Sequence, residues 1–555
     1  MPDFMQPAVY RMKLLSALEK VFPDQEPVYR PECTALTALR GETVSFQIAY
    51  IGSGFRKEIL KLRLDSPAAE HLRVRSVELV PVGKACNTRT DDNYLSTASG
   101  LYPDLLRDLE DGKVTVCAQR WRSVWVDLEV PEDFLAGTVP IKAALVKDGE
   151  EVCAVETRIT VLPAALPPQT LIHTEWLHTD CLCDYYHLEP FSEEFWPVLG
   201  RFLEQYRKRG GNMILTPLFT LPLDTAVGEE RTTTQLVGVT VTGEDQYEFD
   251  FSLLRRWIHF CRSYGMEWFE MSHLFSQWGA VYPPKVVATV DGEQQTIFGW
   301  HTSAVGAYTA FLHQLLPQLT AVLREEGIAE RTYFHLSDEP REQHLESYRA
   351  AKESIDGYLD GFLTFDALSS YEFYRHGLVK KPIPGNNEIE EFLAHGLTDM
   401  WTYYCTGQCV EVSNRFMAMP SARNRIIGVQ LYKFDIIGFL HWGYNFYNSQ
   451  FSYRHIDPYQ VTDADYAFPS GDPFLVYPGP DGAPEESIRQ MVFYEALCDL
   501  RALRLLESLT SREHVLELIE DGLGEPLTFK VYPKSDAWLL DLRRRVNREI
   551  AAHCG

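Results

Sequence analysis

Two carboxylates stand side by side in Tyr333-Phe-His-Leu-Ser-Asp-Glu-Pro340, behind a short apolar run. Cleaving a glycosidic acetal needs one acid to protonate the leaving oxygen and a second group to stabilise the oxocarbenium-like centre. Many such enzymes draw the two carboxylates from different strands. Adjacent residues suit another arrangement, in which a sugar's own 2-acetamido oxygen attacks its anomeric carbon. Asp338 would orient the acetamido group and stabilise the oxazolinium-like charge. Glu339 would serve as general acid and then as general base, which requires a pKa raised toward neutral. A structural alternative competes: Ser337 or Asp338 is a good helix N-cap, Pro340 suits the first helical turn, and Glu342 lies near a capping position. The two are compatible, because a helix start after a barrel strand is also where active sites sit.

Other clusters are less specific. His173-x-Glu175-x-x-His178 has metal-ligand residue types but lacks zinc-protease helical spacing. On a strand, His173 and Glu175 share a face and His178 falls in the next loop, which suits polar pocket lining without a metal. Cys181-x-Cys183 and Cys405-x-x-x-Cys409 lack the two-residue gap of zinc sites and suit buried or free thiols. Trp401, Trp442, Tyr444 and Phe446 are flat rings that serve either a sugar face or a core. Trp442, beside His441 and close to Asn445, is the best placed of them. Arg543-Arg-Arg545 suits the solvated face of a helix.

These groups need strands to position them. Short apolar runs cover Leu171–Trp176, Asn212–Pro217, Glu267–Ser272, Thr332–Ser337, Phe362–Phe365, Leu378–Ile383, Asp399–Tyr404 and Gly438–Trp442. Amphipathic stretches such as Phe195–Lys208, Leu253–Tyr264 and Ala307–Glu325 lie between them. About eight strands alternating with helices match the rhythm of a (β/α)8 TIM-type barrel. The strand ends then carry His173, Glu175 and Trp176, Thr216, Ser272 and His273, Asp338 and Glu339, Asp366, Tyr403 and Tyr404, and Trp442 and Asn445. Before the barrel, period-two alternation at Val44–Tyr50, Val124–Leu128, Ile141–Leu145 and Val152–Val161 predicts an antiparallel β-sandwich over 1–165. Val161-Leu-Pro-Ala-Ala-Leu-Pro-Pro168 reads as a stiff linker. The barrel is expected over 170–470, with a loop and helices over 471–555 packed on it.

Seventy-eight acidic residues against fifty-two basic ones give a net charge of −26, which disfavours nucleic-acid and membrane partners. No run approaches the roughly 20 apolar residues of a membrane span. The first residues lack the apolar core of an export signal, and eleven cysteines without framework spacing suit a reducing compartment, so a cytoplasmic location is expected.

Several blocks then resemble a known family: LIHTEWLHTDCLCDYY from residue 171, GGNMILTPLFTLPLDT, LSDEP, MWTYYC, IGFLHWGYNFY and GDPFLVYPG, with Gly100-Leu-Tyr-Pro-Asp104 ahead of them. Together they resemble glycoside hydrolase family 123 and the broader domain-of-unknown-function family 4091 that shares its catalytic region. The resemblance implies retaining, substrate-assisted release of terminal β-linked N-acetylgalactosamine from a glycan or glycoconjugate, without a cofactor. It makes Asp338 the acetamido-stabilising residue and Glu339 the acid/base. It puts His173, His273, Tyr403 or Tyr404, and Trp442 in the sugar subsite, and the strand-end reading adds Glu175, Trp176 and Asn445 as lining residues. A sugar without the acetamido group, or non-catalytic glycan binding, is the alternative. A homo-oligomer is compatible with the sequence.

Overall fold

The computed structural model describes residues 8–28 and 34–554. Residues 1–7 of the stretch read for an export signal, and Cys33, lie outside it. The chain forms two compact units. The first takes residues to Gln169, Ser413–Phe434 and residues from Glu485; the second takes Thr170–Val412 and Asp435–Pro484.

The first unit holds ten strands: β1 (Tyr10–Ser16), β2 (Ala35–Arg40), β3 (Glu42–Gly52), β4 (Glu58–Asp65), β5 (Leu72–Val82), β6 (Gly100–Asp108), β7 (Lys113–Val116), β8 (Arg122–Val130), β9 (Gly137–Lys147) and β10 (Glu150–Ala165). They make two five-stranded sheets, ordered β1-β3-β8-β5-β6 and β2-β10-β9-β4-β7. Pairing is antiparallel except between β2 and β10. Alternation in the sequence becomes burial here: Phe46, Ile48, Val124, Val126 and Leu128 from one sheet share a core with Leu60, Leu62, Ile141, Leu145 and Ile159 from the other. Val161–Ala165, expected as linker, continue β10 instead, with a bulge before Ala165 pairs with Arg40. The bulge absorbs Pro163, which has no N–H for a regular ladder.

The C-terminal helices Ile488–Leu509, Arg512–Glu520 and Asp536–Cys554 were expected on the barrel but belong to this first unit. Charge explains why. Arg489 donates two hydrogen bonds, each 2.9 Å, to the Asp104 carboxylate of β6, and both groups are buried. Arg75, fully buried, bridges Asp127 and Glu486.

The second unit carries β11 (Ile172–Glu175), β12 (Met213–Thr216), β13 (Gly238–Gly243), β14 (Gln246–Asp250), β15 (Trp268–Met271), β16 (Val286–Val290), β17 (Glu293–Phe298), β18 (Thr332–Phe334), β19 (Leu363–Ala367), β20 (Lys381–Ile383), β21 (Trp401–Tyr403) and β22 (Gly438–His441). Eight of these form one parallel sheet, ordered β20-β19-β18-β15-β12-β11-β22-β21. A bridge between Gly385 and Tyr403 joins its two edges, giving a nearly closed barrel. All eight expected strands are present, shorter by one to three residues at most ends. Helices Phe195–Lys208 and Ala307–Glu325 keep the bounds the apolar period predicts. The hairpins β13–β14 and β16–β17, joined into a four-stranded sheet, were not anticipated. Their Thr-, Glu- and Gln-rich strands are mostly exposed on both faces, so the sequence shows little apolar alternation there.

Breaking a buried ion pair by removing one partner costs about 3–5 kcal/mol, because the other charge stays buried alone. Arg489→Leu is therefore expected to lower the apparent melting temperature clearly. Arg107→Ala, which removes an exposed partner of Glu485, is expected to leave it near wild type. Thermal melts of the three proteins check this, and equal losses would refute it.

Candidate active site

Barrel strands alternate their side chains between the interior and the outer layer. Ile172, Trp176, Met213, Leu215, Tyr333, Phe365, Ala367, Trp401, Tyr403 and Leu440 form one interior apolar cluster. The residues of β18 lead directly from that cluster to the carboxyl pair.

Asp338 is buried and Glu339 half-buried. No α-helix starts at the pair, contrary to the N-cap alternative. Glu339 has a φ of 43°, in the left-handed region that breaks a helix, and the next α-helix begins at Leu345. A non-glycine residue there costs on the order of 1–3 kcal/mol and persists only when its surroundings hold it. Two backbone bonds do so: Glu339 N donates to Ala367 O at 3.0 Å, and Trp278 N donates to Asp338 O at 2.9 Å.

The side chains are gripped as well. Gln277 Nε2 donates to Asp338 Oδ2 at 2.7 Å. Tyr403 Oη donates to Glu339 Oε1 at 2.9 Å, and the Cys405 thiol lies 3.9 Å from the same oxygen. Burial, then the charge of Glu339, pushes the Asp338 carboxyl well above the usual range. Burial also raises Glu339, against the Tyr403 hydrogen bond that lowers it. A pair lifted in this way can hold a proton that ordinary carboxyls have lost, which is what an acid beside a carboxylate requires.

Both residues line a cavity of about 250 Å³ with Trp176, Asp224, Gln277, Trp278, Tyr403, Trp442 and Phe468. Glu339, Arg341 and Tyr403 also line a second cavity of about 600 Å³ with Glu342, Tyr371 and Glu388. Glu339 thus stands where two chambers meet. The Trp442 indole is held by its N–H, which donates to Asp472 Oδ2 at 3.1 Å.

Of the expected lining residues, Trp176, Tyr403 and Trp442 reach the first cavity. The other five do not. His173 and Glu175 lie on the opposite face of β11 from Trp176. The His173 ring nitrogens sit 3.2 Å from Gly210 O and 3.2 Å from Glu175 Oε1, and both residues are buried. Tyr404, alternating with Tyr403, is buried against Phe439 and His441. Asn445 clamps the backbone of His178 from both sides. His273 stacks on His335 at 4.1 Å, fully inside. Strand ends were legible, but which face each residue takes was not. Asp224, Gln277 and Asp472 were missed because they come from loops, where no period exists to read. Asp224 lies in the quoted LPLDT and Asp472 in GDPF, so the motifs held a signal that spacing did not.

Behind the pair lies a polar row. His335 Nε2 is 2.5 Å from Glu270 Oε1, and Nδ1 is 3.2 Å from Asp366 Oδ1. Trp176 Nε1 and Thr174 Oγ1 donate to Glu270, each at 2.7 Å. Tyr348 donates to Asp366 Oδ2. Elsewhere, His178 Nε2 donates to Trp442 O and Nδ1 accepts from Arg231, an arrangement for a neutral ring rather than a ligand. Among the described residues, no group of three or more His, Cys, Asp or Glu is arranged to hold a metal ion. No helix among them is long and apolar enough to cross a membrane.

The chain is similar to a family 123 glycoside hydrolase from Clostridium perfringens, solved in a study of glycolipid glycan hydrolysis. Identity is 15%, coverage 98% of each chain and TM-score 0.73. It is far less similar to a Bacteroides ovatus family 5 xyloglucanase, at 8% identity over 84% of this chain and 99% of that one, with TM-score 0.31. A family 2 glycosyl hydrolase from Bacteroides cellulosilyticus matches at 9% identity over 73% and 44%, with TM-score 0.28. No curated protein matches. The family model described as Glycoside hydrolase 123, catalytic domain, matches residues 176–506, more than half of the chain and including the carboxyl pair and its cavity. The chain belongs to glycoside hydrolase family 123.

Proposed function

We propose that this protein is a retaining, substrate-assisted exo-β-N-acetylhexosaminidase that prefers N-acetylgalactosamine. The observation that carries the reading is the adjacent pair Asp338–Glu339, facing one cavity and separately gripped by Gln277 and Tyr403.

In the first step the acetamido oxygen bonds to the anomeric carbon while the glycosidic C–O bond breaks. The Glu339 proton goes to the leaving oxygen, and Asp338 accepts the acetamido N–H and offsets the oxazolinium charge. In the second step water attacks the same carbon from the vacated side and gives its proton to Glu339, while the bond from that carbon to the acetamido oxygen breaks and restores the acetamide, so configuration is retained. The sugar takes the smaller chamber, against Trp442, and the leaving group the larger one across Glu339. The Clostridium protein's work on glycolipid glycans makes such glycans the first natural substrates to try.

One observation favours a second reading. Asp224 lines the same cavity and could act as a nucleophile on a sugar without the acetamido group. Burial raises its carboxyl to about 6, and Phe451 N donates to it at 3.1 Å. At about 6 that carboxyl is mostly ionised at pH 7, so its charge does not exclude the role, and the acetamido route is preferred because the adjacent pair is gripped for it by Gln277 and Tyr403.

On a panel of p-nitrophenyl glycosides, wild type is expected to release nitrophenol from the β-N-acetylgalactosaminide and not from the β-galactoside. Glu339→Gln should lose about 10²- to 10⁴-fold on natural leaving groups. Equal cleavage of the β-galactoside, abolished by Asp224→Asn, would sink the acetamido mechanism.

Tyr403→Phe removes a donor that favours ionised Glu339. The acid should then hold its proton to higher pH, and the alkaline limb of kcat/KM should move up. A limb that moves down would refute the role.

Asp338 has a folded pKa above its unfolded value. It therefore stabilises the fold at low pH and loses that contribution as pH rises through the folded pKa. Asp338→Asn should melt above wild type at about pH 8 and not at about pH 4. The reverse order in a melting series would contradict this.

A further inference from the structure

The buried row behind the pair takes no direct part in the steps above, yet His335 lies three residues before Asp338 on the same chain. Its two faces are closed by Phe365 at 4.3 Å and His273 at 4.1 Å, and the Trp176 edge stands at 5.8 Å. No part of it meets solvent.

Hydrogen-bond roles decide its charge. Glu270 Oε1 already accepts from Trp176 Nε1, and Asp366 Oδ1 already accepts from Leu336 N at 3.0 Å and Ser337 N at 3.3 Å. With both carboxyls ionised, both His335 nitrogens donate and the ring is an imidazolium. Burial lowers its pKa, but the hydrogen bonds and charges of Asp366 and Glu270 outweigh that and raise it to about 9. Burial in turn raises Asp366, against the pull of His335. The flanking His273 cannot share the charge. Burial, then the charge on His335, drives its pKa well down, and neither of its ring nitrogens has a partner. The remaining titratable group, Tyr348, donates to Asp366 and stays protonated.

We propose that His335 is a positioning residue: clamped as a cation between Glu270 and Asp366, it biases the pair's proton away from Asp338 and toward Glu339. This rests on the proposed mechanism, in which Asp338 works ionised and Glu339 protonated. Two features make the bias selective. At Asp338, burial and the charges of Glu339 and Asp366 favour the acid, and His335 is the largest influence against it, with Gln277 assisting by its hydrogen bond. The principal groups acting on Glu339 are different: Tyr403, Arg341, Asp472 and Cys405. The clamp also fixes position. The Asp366 oxygen that receives the His335 proton receives the backbone N–H groups of Leu336 and Ser337, the two residues leading into the pair.

His335→Gln keeps hydrogen-bonding capacity and removes the charge. Glu270→Gln is milder and removes one of the two carboxylates that hold it. On the aryl β-N-acetylgalactosaminide, the acidic limb of kcat/KM is expected to rise by about one pH unit in the first variant. Below the limb that is about a tenfold loss of turnover. Glu270→Gln removes a negative charge and leaves the imidazolium held by Asp366, so its limb should move the opposite way, and it carries the test if His335→Gln does not fold. Rate lost equally at every pH, with the limb unmoved, would mark a merely structural residue and overturn the proposal. A second readout needs no turnover. In wild type carrying ¹⁵N-labelled imidazoles, NMR should find protons on both His335 nitrogens at about pH 8. A neutral ring overturns the proposal. A doubly protonated ring in a protein silent on every amino sugar supports the clamp and sinks only the functional reading.

Discussion

One imidazole held between two carboxylates organises the floor of this barrel. Glu270 comes from β15, His335 follows β18 and Asp366 belongs to β19, while Thr174 and Trp176 bring β11 to the same knot. Buried ionic groups rarely add net stability, because desolvation consumes what attraction returns. Their value is geometric, since few arrangements satisfy every donor at once. An apolar floor would pack as well and would tolerate small slips of strand against strand. This one does not, because Trp176, whose indole is fixed by Glu270, is also a wall of the sugar-sized cavity.

The pair itself is held against several preferences. Glu339 occupies a backbone region that ordinary residues avoid, and two acids stand together, one buried and one half-buried. Each cost is met locally, by Ala367 and Trp278 for the backbone and by Gln277 and Tyr403 for the side chains. Strain concentrated at one point and supported from several elements is the usual mark of a working site.

The eight barrel strands were legible because each is a short apolar run between amphipathic helices, and Asp338 and Glu339 were legible because they follow one. What period-two patterning could not supply was handedness: which of two alternating faces looks into the barrel. His173 and Glu175 share a face, as their spacing says, but that face packs against Tyr206 and Phe439. Tyr403 and Tyr404 differ only by this choice. Asp224 and Asp472 come from loops whose path depends on contacts distant in sequence, such as Asp224 with Phe451. The allegiance of the C-terminal helices was hidden for the same reason, since Arg489 and Asp104 are separated by 385 residues.

That separation matters during synthesis. The ribosome makes the chain from one end, at about 5–20 residues per second. Asp104 and Arg75 therefore wait roughly 20–80 s, at those rates, before the segment carrying Arg489 and Glu486 exists. Over that interval β5 and β6 hold charged groups destined for burial, with part of their partners unmade. The helix that completes them is buried at every position from Ile488 to Leu500, so the surface that receives it, Asp104 included, stays exposed until it arrives. The stretch encoding the whole barrel is translated in between, which gives the second unit time to form first. The first unit begun is the last one finished.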